Sequence, residues 1–122
     1  MRHNYKKLLV WQKAMDLVVK TYQLLDKFPK DELFQLNAQI KKAAVSIPSN
    51  IAEGSGRKTE KEFSYFLYIS HGSACELDTE LSLGSRLGYL SEDDYELISK
   101  DIEEIKVMIL SFEKKINPSS RD

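Results

Sequence analysis

The chain has 122 residues, 42% hydrophobic and 30% charged, with a formal net charge of −1, which describes one soluble globular domain with a single core. One cysteine, Cys75, excludes an internal disulfide and fits a reducing compartment. No apolar run approaches the ~18 residues of a membrane span, and the segment 1–7 opens no secretory signal, so a cytoplasmic protein with no membrane partner is expected.

Four helices follow in chain order, at about 8–28, 31–53, 59–87 and 91–117, and no segment has strand periodicity. In the first, Trp11, Ala14/Met15, Val18, Tyr22 and Leu25 are spaced by threes and fours, and Pro29 marks its end. The second carries Leu33, Leu36, Ile40, Ala43, Ile47 and Ile51 on one stripe. Asp31 and Glu32 suit its positive start, and Gly54 suits a left-handed stop. That stripe runs straight through Pro48, which has no N–H for the carbonyl four residues back. Compensation is expected from Ser46, Ser49 and Asn50, by bonding the freed backbone or by contacting a neighbouring helix.

Thr59-Glu60-Lys61-Glu62 predicts a capping box at the start of the third helix, and Gly88 its terminator. Ser91-Glu92-Asp93-Asp94 opens the fourth with three acids against the helix dipole. Tyr95, Ile98, Ile102, Ile105, Ile109, Phe112 and Ile116 then hold a seven-residue repeat, the seam of an antiparallel bundle. Asn117-Pro118 ends it, and the last four residues should fray. Short connections between long helices make the expected fold an all-α, antiparallel, up-down-up-down four-helix bundle in one domain over 1–122.

The third helix carries more apolar surface than one bundle needs. Phe63-Ser64-Tyr65-Phe66-Leu67-Tyr68-Ile69 is apolar or aromatic nearly all round, which predicts an oligomer interface through Tyr65, Phe66, Tyr68 and Ile69. Small residues at Ser70, Gly72, Ser73 and Ala74 permit close helix approach.

Charge is split along the chain. Residues 1–61 hold 12 Lys/Arg against 6 Asp/Glu, and residues 62–122 hold 6 against 13. The first half suits a polyanion, with Lys41, Lys42, Arg57, Lys58 and Lys61 as the candidate nucleic-acid surface and Arg2, Lys6 and Lys7 as a basic arm. The loop Gly54-Ser55-Gly56-Arg57-Lys58-Thr59 lacks the spacing and preceding strand of a phosphate-binding loop. It leaves only basic residues at a helix start, where an anion can sit.

No catalytic constellation is expected. Neither His3 nor His71 has a Glu three residues before it, as di-iron bundles require. His71 and Cys75 lie four apart, without a third or fourth metal ligand in view. Glu76 and Glu80 read as ordinary helix-surface charges. The expectation is a non-enzyme without cofactor or metal.

Read together, Val10-Trp11-Gln12-Lys13-Ala14, Phe28-Pro29, Gln39, the Ala43–Gly54 block, the 71–77 segment and Leu87-Gly88-Tyr89-Leu90 resemble bacterial four-helix bundle proteins. These are often encoded within intervening sequences of 23S ribosomal RNA genes. The resemblance covers residues 8 to about 112, and Ala-Val-Ser-Ile-Pro-Ser-Asn-Ile-Ala-Glu-Gly is its most specific string. It implies an antiparallel bundle assembled as a cyclic homopentamer, with no known catalytic activity. A related branch, the accessory variability protein of diversity-generating retroelements, partners a reverse transcriptase and binds nucleic acid. Lys41-Lys42 stands where the family commonly has a basic pair with arginine, and His71 where it usually has Arg. The chain's expected partners are therefore other copies of itself, with RNA or another protein as further candidates.

Overall fold

A computed structural model describes residues 3–32 and 35–119. Four helices, α1 Leu9–Leu25, α2 Leu36–Ser55, α3 Glu60–Arg86 and α4 Glu92–Ile116, pack around one core, with short 3-10 turns at Tyr5–Lys7 and Lys30–Glu32. Cross-helix bonds fix the directions. Ser46 and Ile47 of α2 meet Ser73 and Ser70 of α3. Ser64 and Asp78 of α3 meet Glu113 and Tyr95 of α4. Lys13 and Lys20 of α1 meet Glu104 and Asp101 of α4. In every pair one number rises as the other falls, so these neighbours are antiparallel and the order is up-down-up-down, as expected.

The caps of α3 and α4 form as the sequence predicts. The Glu62 N–H donates to Thr59 Oγ1 (3.1 Å) and the Thr59 N–H to Glu62 Oε1 (3.3 Å), closing the capping box. The Asp94 N–H donates to Ser91 Oγ (3.1 Å). Gly88 takes φ +81°, and the Tyr89 and Gly88 N–H groups bond back to the carbonyls of Gly84 and Ser85, the pattern of a Schellman stop. Along α4, Ile98, Ile102, Ile105 and Ile109 are buried, flanked by half-buried Tyr95, Phe112 and Ile116.

Four expectations need correction. The buried stripe of α1 is Val10, Ala14, Leu17, Thr21 and Leu25, one position off the predicted one; Met15 and Tyr22 are exposed and Trp11 and Val18 lie at the edge. This helix is apolar over so much of its circumference that two stripes fit the spacing. Thr21 enters the core by donating its hydroxyl to the Leu17 carbonyl (2.8 Å). The helix also ends at Leu25, because Asp26, Lys27 and Phe28 bond carbonyls three residues back in a tightened turn. That turn sends Phe28 into the core against Gly84.

The second helix starts at Leu36, not Asp31: Asp31 and Glu32 belong to a separate 3-10 turn after Pro29, and Leu33 lies outside the described residues. Nor does Gly54 stop α2 in left-handed geometry. It is buried inside the helix, which runs on to Ser55 and caps at Gly56 with φ −89°. A Cβ at Gly54 would stand 2.7 Å from both Phe63 Cδ1 and Phe66 Cβ, so this glycine serves close approach of α2 and α3.

Helix α2 is continuous through buried Pro48. Asn50 Nδ2 donates to the Ser46 carbonyl (2.8 Å) and hydroxyl (2.9 Å), and the Ser46 and Ser73 hydroxyls share a bond (2.7 Å). Ser70 Oγ donates to the Ile47 carbonyl (2.8 Å). Ser46 and Asn50 thus act as expected, and with Ser70 and Ser73 they tie the proline turn to α3, whereas Ser49 is exposed and takes no part in these bonds. Of the small residues, Ser70, Ser73 and Ala74 are buried, while Gly72 faces open space.

Candidate interaction surfaces

The candidate basic residues fall into two places. Lys41 and Lys42 sit in the first half of α2, and thirteen residues at 1.5 Å each put Lys42 about 20 Å from the helix end at Ser55, which Arg57 follows. The Lys41 ammonium stands 5.1 Å over the Tyr22 ring of α1, while Lys42 is exposed. Arg57 pairs with Glu53 one turn back and lies 4.6 Å over the Phe66 ring. Lys58 and Lys61 are exposed beside it.

Folding adds bases that the sequence leaves far away. The pairing of Ser64 with Glu113 brings the end of α4 to the start of α3. The His3 ring bonds Glu60 (3.1 Å) and packs edge-on against Phe63 and Phe112, which brings the amino-terminal turn to the same end. Lys6, Lys7, Lys58, Lys61 and Lys115 all gather there, exposed, and make no ion pair among the described residues. The acids of that end are engaged locally: Glu53 by Arg57, Glu60 by His3, Glu62 in the capping box, and Glu113 in the interior. Elsewhere Lys13 and Lys20 of α1, and Lys27 in the turn after it, are paired with Glu104, Asp101 and Asp94 of α4. The sequence's charge asymmetry becomes a basic end of the bundle. Arg2 lies outside the described residues.

The four aromatic-segment residues divide between two sides of α3. Phe66 packs toward α2, at Gly54 and Arg57, and Ile69 shares that side with Ser73, four residues on. Tyr65 and Tyr68 turn outward on the α4 side, 64% and 40% exposed. Tyr68 OH donates to Glu113 (3.3 Å), and the same shallow hollow is lined by Leu110, Ser111 and Lys114. Tyr65, Tyr68 and Leu110 thus supply apolar surface on the α3–α4 side.

A second outer face was hidden from the sequence by the one-residue error in the α1 stripe. Met15, Val19 and Tyr22 are exposed at positions i, i+4 and i+7 of α1, and Val45 is exposed one turn beyond Lys41 on α2. Among the described residues α1 packs on α2 and α4, and α3 on α2 and α4, with no diagonal contact, so the α1–α2 and α3–α4 sides lie opposite each other across the bundle.

The α3–α4 seam holds a polar column. Glu113, 1% exposed, accepts from the Ser64 hydroxyl as well as from Tyr68. Asp78 accepts from Tyr95 OH (2.8 Å) and Ser99 Oγ (3.1 Å). Between them Cys75 Sγ lies 4.0 Å from His71 Nδ1. Burial, then the Lys106 charge, hold His71 below its ordinary pKa, so the ring is neutral at physiological pH. No group of three or more His, Cys, Asp or Glu suited to a metal occurs among the described residues. Among those residues, too, no helix is long and apolar enough to cross a membrane.

Fold and surface together define an antiparallel four-helix bundle with two apolar outer faces and a basic end. The chain belongs to the family of 23S rRNA-intervening sequence proteins, whose model matches residues 6–111. A protein of unknown function from the S23 ribosomal protein family of Bacteroides thetaiotaomicron VPI-5482 is similar in structure, with a TM-score of 0.78 and 28% identity. The match covers 87% of this chain and 99% of that one. No curated protein matches this chain. The resemblance read from the Ala43–Gly54 block therefore holds at the level of family and fold.

Proposed function

We propose that the protein is a non-enzymatic, cytoplasmic scaffold that assembles with copies of itself into a closed ring. One observation carries this reading: two unlike apolar faces lie on opposite sides of the bundle, Met15, Val19, Tyr22 and Val45 on one and Tyr65, Tyr68 and Leu110 on the other. Exposed apolar surface in such patches favours burial against a partner. Unlike faces pair head to tail, and repeated head-to-tail contacts close when the rotation allows. The count of five comes from the family resemblance, not from the faces.

Light scattering at micromolar protein should report five times the 14.1 kDa chain mass. Val19→Glu and Tyr65→Glu should each give a monomer, and mixing the two should restore only a dimer, because each retains one intact face. A wild-type monomer, or a mixture that stays monomeric, overturns the reading.

A second reading is supported by the basic end, whose unpaired lysines match a phosphate backbone. A ring would repeat that end in every subunit, so weak contacts would add. Binding to RNA should weaken steeply with salt. A gel shift at low salt tests it: no retardation at excess protein removes the reading. Retardation unchanged in Lys58→Ala/Lys61→Ala moves the contact away from the α2–α3 turn.

A further inference from the structure

The α3 residues that face α2 follow one stripe. Phe66 lies against Gly54, Ser70 bonds the Ile47 carbonyl and Ser73 bonds Ser46, and further along α3 Gly84 lies under the ring of Phe28 from the α1–α2 connection. Leu77 and Glu80 occupy the helical spacing between Ser73 and Gly84, so Glu80 continues the stripe into the seam. One of its carboxylate oxygens, Oε1, is shut off from solvent without a hydrogen-bond partner. This corrects the expectation that Glu80 is an ordinary surface charge. A shielded carboxylate with no donor is unfavourable as an anion and is relieved by a proton.

The surrounding charges do not supply that relief. Glu76, one turn earlier on α3, adds a like charge. On α2 the antiparallel register places residues 37–39, Asn37, Ala38 and Gln39, level with Glu80, and all are uncharged. Lys41 and Lys42 come level with Glu76 instead. Lys41 is turned over Tyr22, and Lys42 is exposed and makes no ion pair among the described residues. In the connection that packs Phe28 onto Gly84, Lys30 and Asp31 are exposed and Glu32 follows in the chain. Burial first, and the Glu76 charge second, push the Glu80 carboxyl up from 4.5 to about 7.

From this orphaned oxygen in the helix seam we infer that Glu80 is a proton-operated latch: as the neutral acid it lets the amino-terminal half of α2 close on α3, and its ionisation loosens that half. The sign follows from linkage. The folded state raises the affinity for the proton, so the closing contribution is complete below 4.5. It is lost as pH rises through about 7.

Carbon-detected NMR titration of the full chain should place the Glu80 midpoint near 7, and Glu76→Gln should lower it. The melting-temperature gap between Glu80→Gln and wild type should grow from near zero at pH 4.5 to about 5 °C at pH 8.5. Amide exchange over residues 36–40, corrected for its intrinsic pH dependence, should speed up through the same range in wild type and not in Glu80→Gln. A Glu80 midpoint in the ordinary carboxyl range, or an equal gap at both pH values, overturns the latch. If Glu80→Gln fails to fold, the wild-type titration decides alone.

Discussion

A methyl group added at Gly54 probes the α2–α3 contact directly. Its Cβ would stand 2.7 Å from Phe63 Cδ1, 3.3 Å from Phe63 Cε1 and 2.7 Å from Phe66 Cβ. A Phe66 Cβ is fixed to its backbone and cannot swing aside, so α2 and α3 must separate. Overpacking of this kind costs ~1–3 kcal/mol, against a gain of up to ~1 kcal/mol for Ala over Gly in a helix, leaving a net loss of ~1–2 kcal/mol. Two residues on, Gly56 has φ −89° and only the Glu53 carbonyl within 4 Å, at 3.7 Å. There the same substitution restricts the unfolded chain and should stabilise by ~0.4–1 kcal/mol. For 122 residues an unfolding entropy of ~2.1 cal/mol/K per residue makes 1 kcal/mol worth about 4 °C. Thermal unfolding followed by calorimetry should therefore show Gly54→Ala melting about 4–8 °C lower and Gly56→Ala about 2–4 °C higher. If Gly54→Ala melts higher, as Gly56→Ala should, the close approach of the two helices is wrong.

Much of this architecture was legible because local signals agree with one another. In α4 the acids, the Ser91 cap and the isoleucine repeat all point to the same helix and the same buried side, and so does the structure. In α1 the apolar residues cover too much of the surface for periodicity to choose a stripe. The choice was settled by tertiary packing and by a buried threonine that bonds its own backbone. Hence the periodicity puts Met15 and Tyr22 on the core side and leaves Val19 unassigned, whereas all three are exposed. Gly54 shows a second limit. A glycine near a helix end reads as a stop, and only the neighbouring Phe63 and Phe66 reveal that the missing side chain is the point. The basic end depends on contacts between residues 3 and 60 and between 64 and 113, separations that no local pattern reports. Glu80 looks like a surface charge for the same reason, since its surroundings come from another helix.

Two further outcomes test the polar contacts. The hydrogen bond from Lys27, more than any other influence, holds Asp94 below its usual pKa. The pair therefore stabilises above the ordinary Asp range and is lost as pH falls through the depressed value, and Lys27→Ala should raise the Asp94 midpoint in an NMR titration. An unmoved midpoint would show that Lys27 does not govern it. Ser64→Ala leaves the interior Glu113 carboxylate with the longer bond from Tyr68, and losing a partner of a buried charged group should cost ~1–3 kcal/mol. Glu113→Leu removes the charge itself, and the Ser64 hydroxyl it leaves behind can turn to the carbonyl one turn back in its own helix. In denaturant unfolding Ser64→Ala should thus be the more damaging single change, and Glu113→Leu should recover stability in its background. If Glu113→Leu is the costlier change and rescues nothing, the carboxylate stabilises the seam by itself, and the view that it is tolerated only because Ser64 and Tyr68 satisfy it fails.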